Sequence, residues 1–242
     1  MSPVAPPSAA EVSGAAPAVE LAGLRFRYQG GPEILNIPSL VIGHKERVFL
    51  YGPSGSGKTT LLGLLAGVIR ATAGSVRVHG RELTTMSGSE RDAFRGSHIG
   101  YIFQLFNLIP YLSVSDNIVL PCRLHRERRQ RLGDQSLEAA AQVAAERLGI
   151  AALLHQRVTK LSVGEQQRVA AARALIGAPG VILADEPTSS LDHDHRRRFL
   201  ELLFECAEEA GSTLIFVSHD RTLMPIFHRA VSLSDINRAQ AS

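Results

Sequence analysis

No run of apolar residues in this 242-residue chain approaches the ~20 positions that a bilayer-spanning helix needs. The longest, such as Val181–Ala184 and Leu214–Val217, are strand-length and end in polar residues. The chain is therefore expected to be soluble by itself, and any membrane work requires a partner chain. Cysteine is equally scarce. Cys122 and Cys206, the only two, sit in apolar company without CxxC spacing, which argues against a disulfide framework or a zinc cluster. They read as reduced packing residues of a cytosolic protein. Charge is nearly balanced, at +3 net, so a pI of about 9.1 is weak support for a nucleic-acid partner. One block is basic, Arg123–Arg131 (RLHRERRQR). It reads as a contact with nucleic acid or anionic lipid, or as a solvated helix face; the second reading is preferred. Repeats are absent too. The stretch Met1–Pro17, rich in Pro, Ala and Ser, lacks the basic start and apolar core of a secretory signal and reads as a disordered tail.

What is present points to an α/β domain. Hydrophobic residues make up 45% of the chain, enough for a sizeable core, and the length allows one domain with an inserted subdomain. Order is expected near Val19, where VELAGLRFRY alternates as a strand does. Glu46–Tyr51 predicts a second strand that runs into a glycine loop, and Thr59–Val68 has helical spacing after it. Ser97–Phe103 predicts another strand. From Leu105 to about His155 the pattern turns helical, most clearly over Ser136–Leu148, before Leu161–Arg168 (LSVGEQQR) opens a further helix. The strand VILAD, a helix over His195–Ala210 and the strand TLIFVS complete the alternation, which predicts a mainly parallel sheet. The central helical block reads as a subdomain inserted into it.

The glycine loop matches the phosphate-loop pattern in full: Gly52, Pro53, Ser54, Gly55, Ser56, Gly57, Lys58, Thr59, Thr60. Glycines let backbone N–H groups face phosphate oxygens, and the following helix adds its positive end. Lys58 would reach the β- and γ-phosphates, and the Thr59 hydroxyl would ligate Mg²⁺. Asp185, at the end of an apolar strand, would hold Mg²⁺ through water, while Glu186 points towards the place of an attacking water as a general base. Three further residues keep two readings each. Gln104 is a polar cap or a ligand of Mg²⁺ or water. His219 is a loop residue or a catalytic one. Tyr28 is a sheet-edge aromatic or a platform for adenine.

The set of GPSGSGKTT, Gln104, LSVGEQQR, VILADEP, Ser189–Asp192 (SSLD) and His219, in this order, resembles the ATP-binding-cassette ATPases from about Val19 to Leu233. The resemblance implies a P-loop NTPase α/β fold with an inserted helical subdomain and an N-terminal antiparallel β region. Its expected boundaries are a tail at 1–18, a cassette at 19–238 with the subdomain at about 105–178, and a tail at 239–242. It further implies roles. Tyr28 stacks on adenine, Gln104 links Mg²⁺ to the helical subdomain, Glu186 polarises water, and His219 contacts the γ-phosphate. Two cassettes would enclose two ATP molecules head to tail, with Ser162 and Gly164 donating to the phosphate held by the opposite subunit and Asp192 registering the pair. Val163 and Glu165 depart from the commonest LSGGQ form.

Phe103–Pro121 and the early stop resemble the exporter-type cassettes of lipoprotein-releasing and macrolide-efflux systems. That implies separate transmembrane permease subunits, with room for a periplasmic adaptor, at the cytoplasmic face of a bacterial inner membrane. Phe106, Leu108 and Tyr111 would line the groove for a permease, or pack inside the subdomain. An importer ATPase, a permease-linked sensor and a soluble cassette acting on nucleic acid or ribosomes are the competing readings, and no nucleic-acid partner is expected.

Overall fold

The computed structural model describes residues 16–188 and 193–239. The expected tail up to residue 15, the segment Ser189–Asp192 and the last three positions lie outside the described residues. Strands β1 (Val19–Arg27) and β2 (Glu33–Ile42) form an antiparallel pair. The parallel strand β3 (Arg47–Tyr51) leads into the phosphate loop and helix α1 (Lys58–Leu65). Next come β4 (Ala73–Val78), β5 (Arg81–Glu82), helix α2 (Gly88–His98) and β6 (Ile99–Ile102). Helices α3 (Val114–Leu124), α4 (Arg126–Gln130), α5 (Leu137–Arg147) and α6 (Val163–Leu175) make up the helical block. The chain returns through β7 (Val181–Asp185), α7 (His193–Glu209) and β8 (Thr213–Val217), and closes with β9 (Arg229–Ser232) and α8 (Leu233–Ile236).

Among the described residues the strands form two sheets, an antiparallel one in the order β2-β1-β4-β5 and a parallel one in the order β6-β7-β8-β3-β9. The antiparallel sheet is therefore not only N-terminal: β4 and β5 join it after the phosphate loop. The interiors of β3, β7 and β8 are apolar throughout, yet the period of two still sorts them. Val48, Leu50, Val181, Leu183, Ile215 and Val217 face one core with α1 and the antiparallel sheet. Phe49, Ile182, Ala184, Leu214 and Phe216 face the other with α3, α5, α6 and α7. Each fully buried Leu or Phe contributes about 1.5–3 kcal/mol. The helical block thus shares a continuous core with one face of the sheet. Beside it β6 approaches α6 so closely that a Cβ on Gly100 would fall 2.3 Å from the Ala174 carbonyl oxygen.

Three local expectations change. Ser97 and His98 end α2 instead of opening a strand, because a Ser87–Glu90 capping box starts a helix there. The helical pattern does not begin at Leu105: residues 105–112 are irregular, and α3 starts only after its cap, Ser113, accepts from Asp116 N–H. The basic run is a largely exposed face, as expected, except at Arg128. Arg128 is buried and donates to the carbonyls of Ile176 (2.8 Å), Ile99 (3.2 Å) and Ala174. Its guanidinium joins the end of α6 to the start of β6, and burial pushes its pKa down to about 10. Arg123 pairs with Asp116, and Arg131 donates to the Ser97 carbonyl.

A group of histidines lies where the two sheets meet. His79 stands 5.1 Å from His44 and 6.3 Å from His98 between ring centres. Burial lowers the pKa of His79, and His44 and Arg131 lower it further, against the nearby Gly180 backbone, which raises it. Burial and Arg131 likewise lower His98, against its Glu127 neighbour. The unfolded chain then binds protons that the folded one resists, so stability is lost as pH falls below the ordinary value of about 6.5. Urea midpoints should drop between pH 7.5 and pH 5.5, and replacing His79 and His98 by Asn should shrink that drop; an unchanged drop contradicts the assignment.

Candidate functional site

The expected phosphate, metal and water residues gather at the carboxyl ends of the parallel strands, where the loops after β3, β6 and β7 meet. A cleft of about 290 Å³ there is lined by Lys58, Thr59, Thr60, Gln104, Asp185 and Glu186, with Ser54, Gly55, Gly57 and Ile34 completing the wall. In open α/β sheets this edge is where ligands bind.

The loop backbone suits an anion. Gly55 and Gly57 have φ of 76° and 97°, a region that only glycine enters freely. Gly57 is also the N-cap of α1 and offers no side chain to the first N–H groups of the helix, which are left for an acceptor from outside. The Lys58 ammonium donates to the carbonyls of Gly52 (3.0 Å) and Pro53 (2.9 Å), using two of its three N–H groups. Ser56 Oγ is buried without a hydrogen-bond partner among the described residues, a polar atom turned into the loop interior. These features fit a polyphosphate.

Asp185 ends β7 in the cleft wall it shares with Thr59. Burial raises its pKa and Glu186 raises it again, while the Thr59 hydroxyl and Lys58 oppose the rise. A carboxylate and a hydroxyl, both oxygen donors beside a polyphosphate loop, fit a magnesium ion. Glu186 has φ of 46°, a left-handed conformation that costs a non-glycine residue about 1–3 kcal/mol. Its N–H donates to the Val217 carbonyl at 3.0 Å, which holds the turn. His219, after β8, does not line this cleft; its Nδ1 lies 2.6 Å from Glu186 Oε2. With Nδ1 engaged, Nε2 is the ring atom left for another partner.

Other expected residues stand apart. Tyr28 is half exposed at the end of β1, edge-on to Phe26 with ring centres 4.8 Å apart, outside the cleft wall. Ser162 and Gly164 open α6 away from the cleft. There Glu165 completes a capping box: its Oε2 accepts from the Ser162 N–H and hydroxyl, both at 2.8 Å. The departure at Glu165 thus occupies both donors of Ser162, while by helix geometry the N–H of Gly164 has no acceptor within the helix. Val163 is 48% exposed with its side chain on the surface, so nothing inside this cassette demands glycine there. Asp192 lies outside the described residues. Of the three groove residues, Phe106 is buried in the core, Leu108 is partly buried against it, and Tyr111 is 75% exposed.

Three residues that sequence reasoning missed join these parts. Buried Asn117 donates to the carbonyls of Ile109 and Ser113 and accepts from Ile109 N–H, pinning the segment after Gln104 to α3. Gln167, on α6, donates to the Pro187 carbonyl at 2.7 Å, just past Glu186. Arg173, further along α6, donates to the carbonyls of Phe106 and Asn107. Their partners are backbone groups, which no side-chain pattern reveals.

A family model described as "ABC transporter" matches residues 35–189. The chain belongs to the ABC transporter family, as an ATP-hydrolysing cassette. It is 39% identical over 224 residues, covering 91% of this chain and 92% of the relative, to the lipoprotein-releasing system ATP-binding protein LolD of Anaeromyxobacter dehalogenans (strain 2CP-C). It is 41% identical over 202 residues, 83% of this chain and 86% of the relative, to the uncharacterized ABC transporter ATP-binding protein YbbA of Escherichia coli (strain K12). A solved dimer of the ATP-binding cassette MJ0796 in a post-hydrolysis state, bound to ADP and Pi, superposes with a TM-score of 0.79 at 32% identity, covering 88% of this chain and 93% of that one.

A carboxylate whose pKa is raised by burial destabilises the folded protein at neutral pH. Asp185→Asn should therefore melt at a higher temperature than the parent without nucleotide, while binding ATP more weakly in a calorimetric titration with Mg²⁺. A variant that melts no higher contradicts the buried-charge account.

Proposed function

We propose that this cassette works as a head-to-tail homodimer that binds two ATP molecules with Mg²⁺ and drives separate membrane permease subunits. The observation that carries the reading is the meeting of Lys58, Thr59, Gln104, Asp185 and Glu186 in one cleft, with His219 bonded to Glu186. Thr59 and Asp185 would hold the metal, with Gln104 completing the cis contacts. Mg²⁺, when bound, offsets phosphate charge and favours the ionised form of Asp185. Lys58 swings one N–H onto phosphate, Glu186 accepts a proton from the attacking water, and His219 presents Nε2 to the γ-phosphate. Gly52, Pro53, Ser54, Gly55, Ser56, Gly57 and Thr60 cradle the phosphates, and Tyr28 takes adenine on its exposed face.

Ser162 and Gly164 complete the partner's site, with Asp192 at the seam. ATP then binds the closed pair better than the open one, which any ligand must do to drive a conformational change. Closure is passed to the permeases through the helical block, at about 105–178, with Leu105 and Tyr111 exposed for that contact. Among the described residues no helix is long and apolar enough to cross a membrane, consistent with attachment through a partner at the cytoplasmic face of the inner membrane. The relative named for lipoprotein release supports an envelope-directed system handling lipoproteins or similar amphiphiles. The basic run gives nucleic acid little support, since Arg128 is spent on internal carbonyls.

Glu186→Gln tests the core of this reading. The variant should lose at least about a hundredfold in steady-state ATP turnover, in the range of a general base, while ATP converts it to a dimer on a sizing column. Unchanged turnover would remove Glu186 from the mechanism, and a monomer at saturating ATP would remove the paired site.

A further inference from the structure

We propose that Arg173 is a positioning residue that sets Gln104 through the backbone of the turn it belongs to. Gln104 and Leu105 form the corner of a turn closed by the Phe106 N–H on the Phe103 carbonyl at 3.0 Å. The next two residues, Phe106 and Asn107, have φ of 58° and 48°, left-handed positions that a bulky side chain rarely adopts. Both of their carbonyls are held by one guanidinium: Arg173 donates to Phe106 O at 2.6 Å and to Asn107 O at 2.7 Å. The buried Phe106 ring anchors the same residue from the other side. A strained conformation persists only where its surroundings over-determine it, and Arg173 supplies the side-chain hydrogen bonds of that restraint.

The position of Arg173 on α6 gives the clamp a function. Ser162 caps the same helix, about 16 Å away along the axis. A helix is stiff over that distance. The group proposed to reach the partner's phosphate and the turn carrying the cis amide therefore move together, so that closure at Ser162 fixes Gln104 in its own cleft. This rests on the roles proposed above for Gln104 and Ser162. Lysine is a poor substitute, because a fork that spans two carbonyls becomes a single point donor.

The test is a double-mutant cycle in the full-length chain with Arg173→Met and Gln104→Ala, alone and combined, with Arg173→Lys as a gentler variant. If Arg173 acts through Gln104, each single change lowers ATP turnover about tenfold or more, and Arg173→Met adds less than about twofold in the Gln104→Ala background. Amide exchange over residues 103–109 should rise in Arg173→Met while the interior of α6 stays protected, which a general loss of stability would not produce. Arg173→Lys should fall between parent and Arg173→Met. Multiplying losses, or exchange that rises equally throughout, overturns the proposal. Full turnover in Gln104→Ala would instead overturn the role of Gln104 itself, and the Arg173 proposal with it. If Arg173→Met fails to fold, the same cycle is read with Arg173→Lys.

Discussion

The arrangement depends on one helix being held along its length by groups that are not on the parallel sheet's surface alone. Helix α6 buries Val169, Ala170, Ala171, Ala172, Ala174 and Leu175 against that sheet and the neighbouring helices. Alanine at so many contact positions lets backbones approach, and Gly100 on β6 accepts the closest of these approaches. The helix carries Ser162 at its start, reaches the residue after Glu186 through Gln167, and holds the turn after Gln104 through Arg173. Arg128 closes its far end by taking up the carbonyls of Ala174 and Ile176. Those carbonyls are the negative end of the helix, where a buried cation is most favourable. Its site neighbours are thus fixed by hydrogen bonds to backbone, which define distance more tightly than apolar contact does.

The strand ends carry the opposite economy. Asp185 is a carboxylate partly withdrawn from water, and Glu186 beside it adds like charge. Glu186 also sits in a left-handed conformation, held by the Val217 carbonyl and by His219. Each feature costs folding free energy, and each is favourable to a chemistry that brings a cation to Asp185 and a water to Glu186. The core beneath is apolar on both faces, so it can support that cost. Function is concentrated where the sheet stops being able to satisfy its own groups.

Much of this was legible before any coordinates. The phosphate loop, the VILADE strand and the helix opened by LSVGEQQR all stand where their patterns place them, because each couples a strict residue set to a strand or helix signal. Less legible were features made by backbone. Helix α2 had a capping-box signal at Ser87 and Glu90, but its low apolar content concealed its periodicity. The start of the helical block was displaced to Val114, since Phe106 and Leu108 pack from an irregular segment. Within the largely exposed basic run, Arg128 was not legible, because composition cannot distinguish a guanidinium in water from one bonded to helix-end carbonyls. Glu165 looked like a deviation from a motif, yet in the fold it is the third residue of a capping box.

The shared core sets a condition on any movement of the helical block. One cluster runs without a break from Phe49 and Phe216 on the sheet to Ile118, Ala141 and Val169 in the helices. Closely packed interiors shift between discrete arrangements and do not deform smoothly. A hinge through that cluster would open apolar surface. A shear that keeps it packed needs slack elsewhere, at the chain's entry to the block, which leads through the irregular segment 105–112. That segment is held at one end by Asn117 to α3 and at the other by Arg173 to α6. Both ties run to the helices and neither to the sheet. The segment therefore travels with the block, and the joint falls before Phe106, at Gln104 and Leu105, so that any displacement of the helices is felt first by the amide that faces the phosphate cleft.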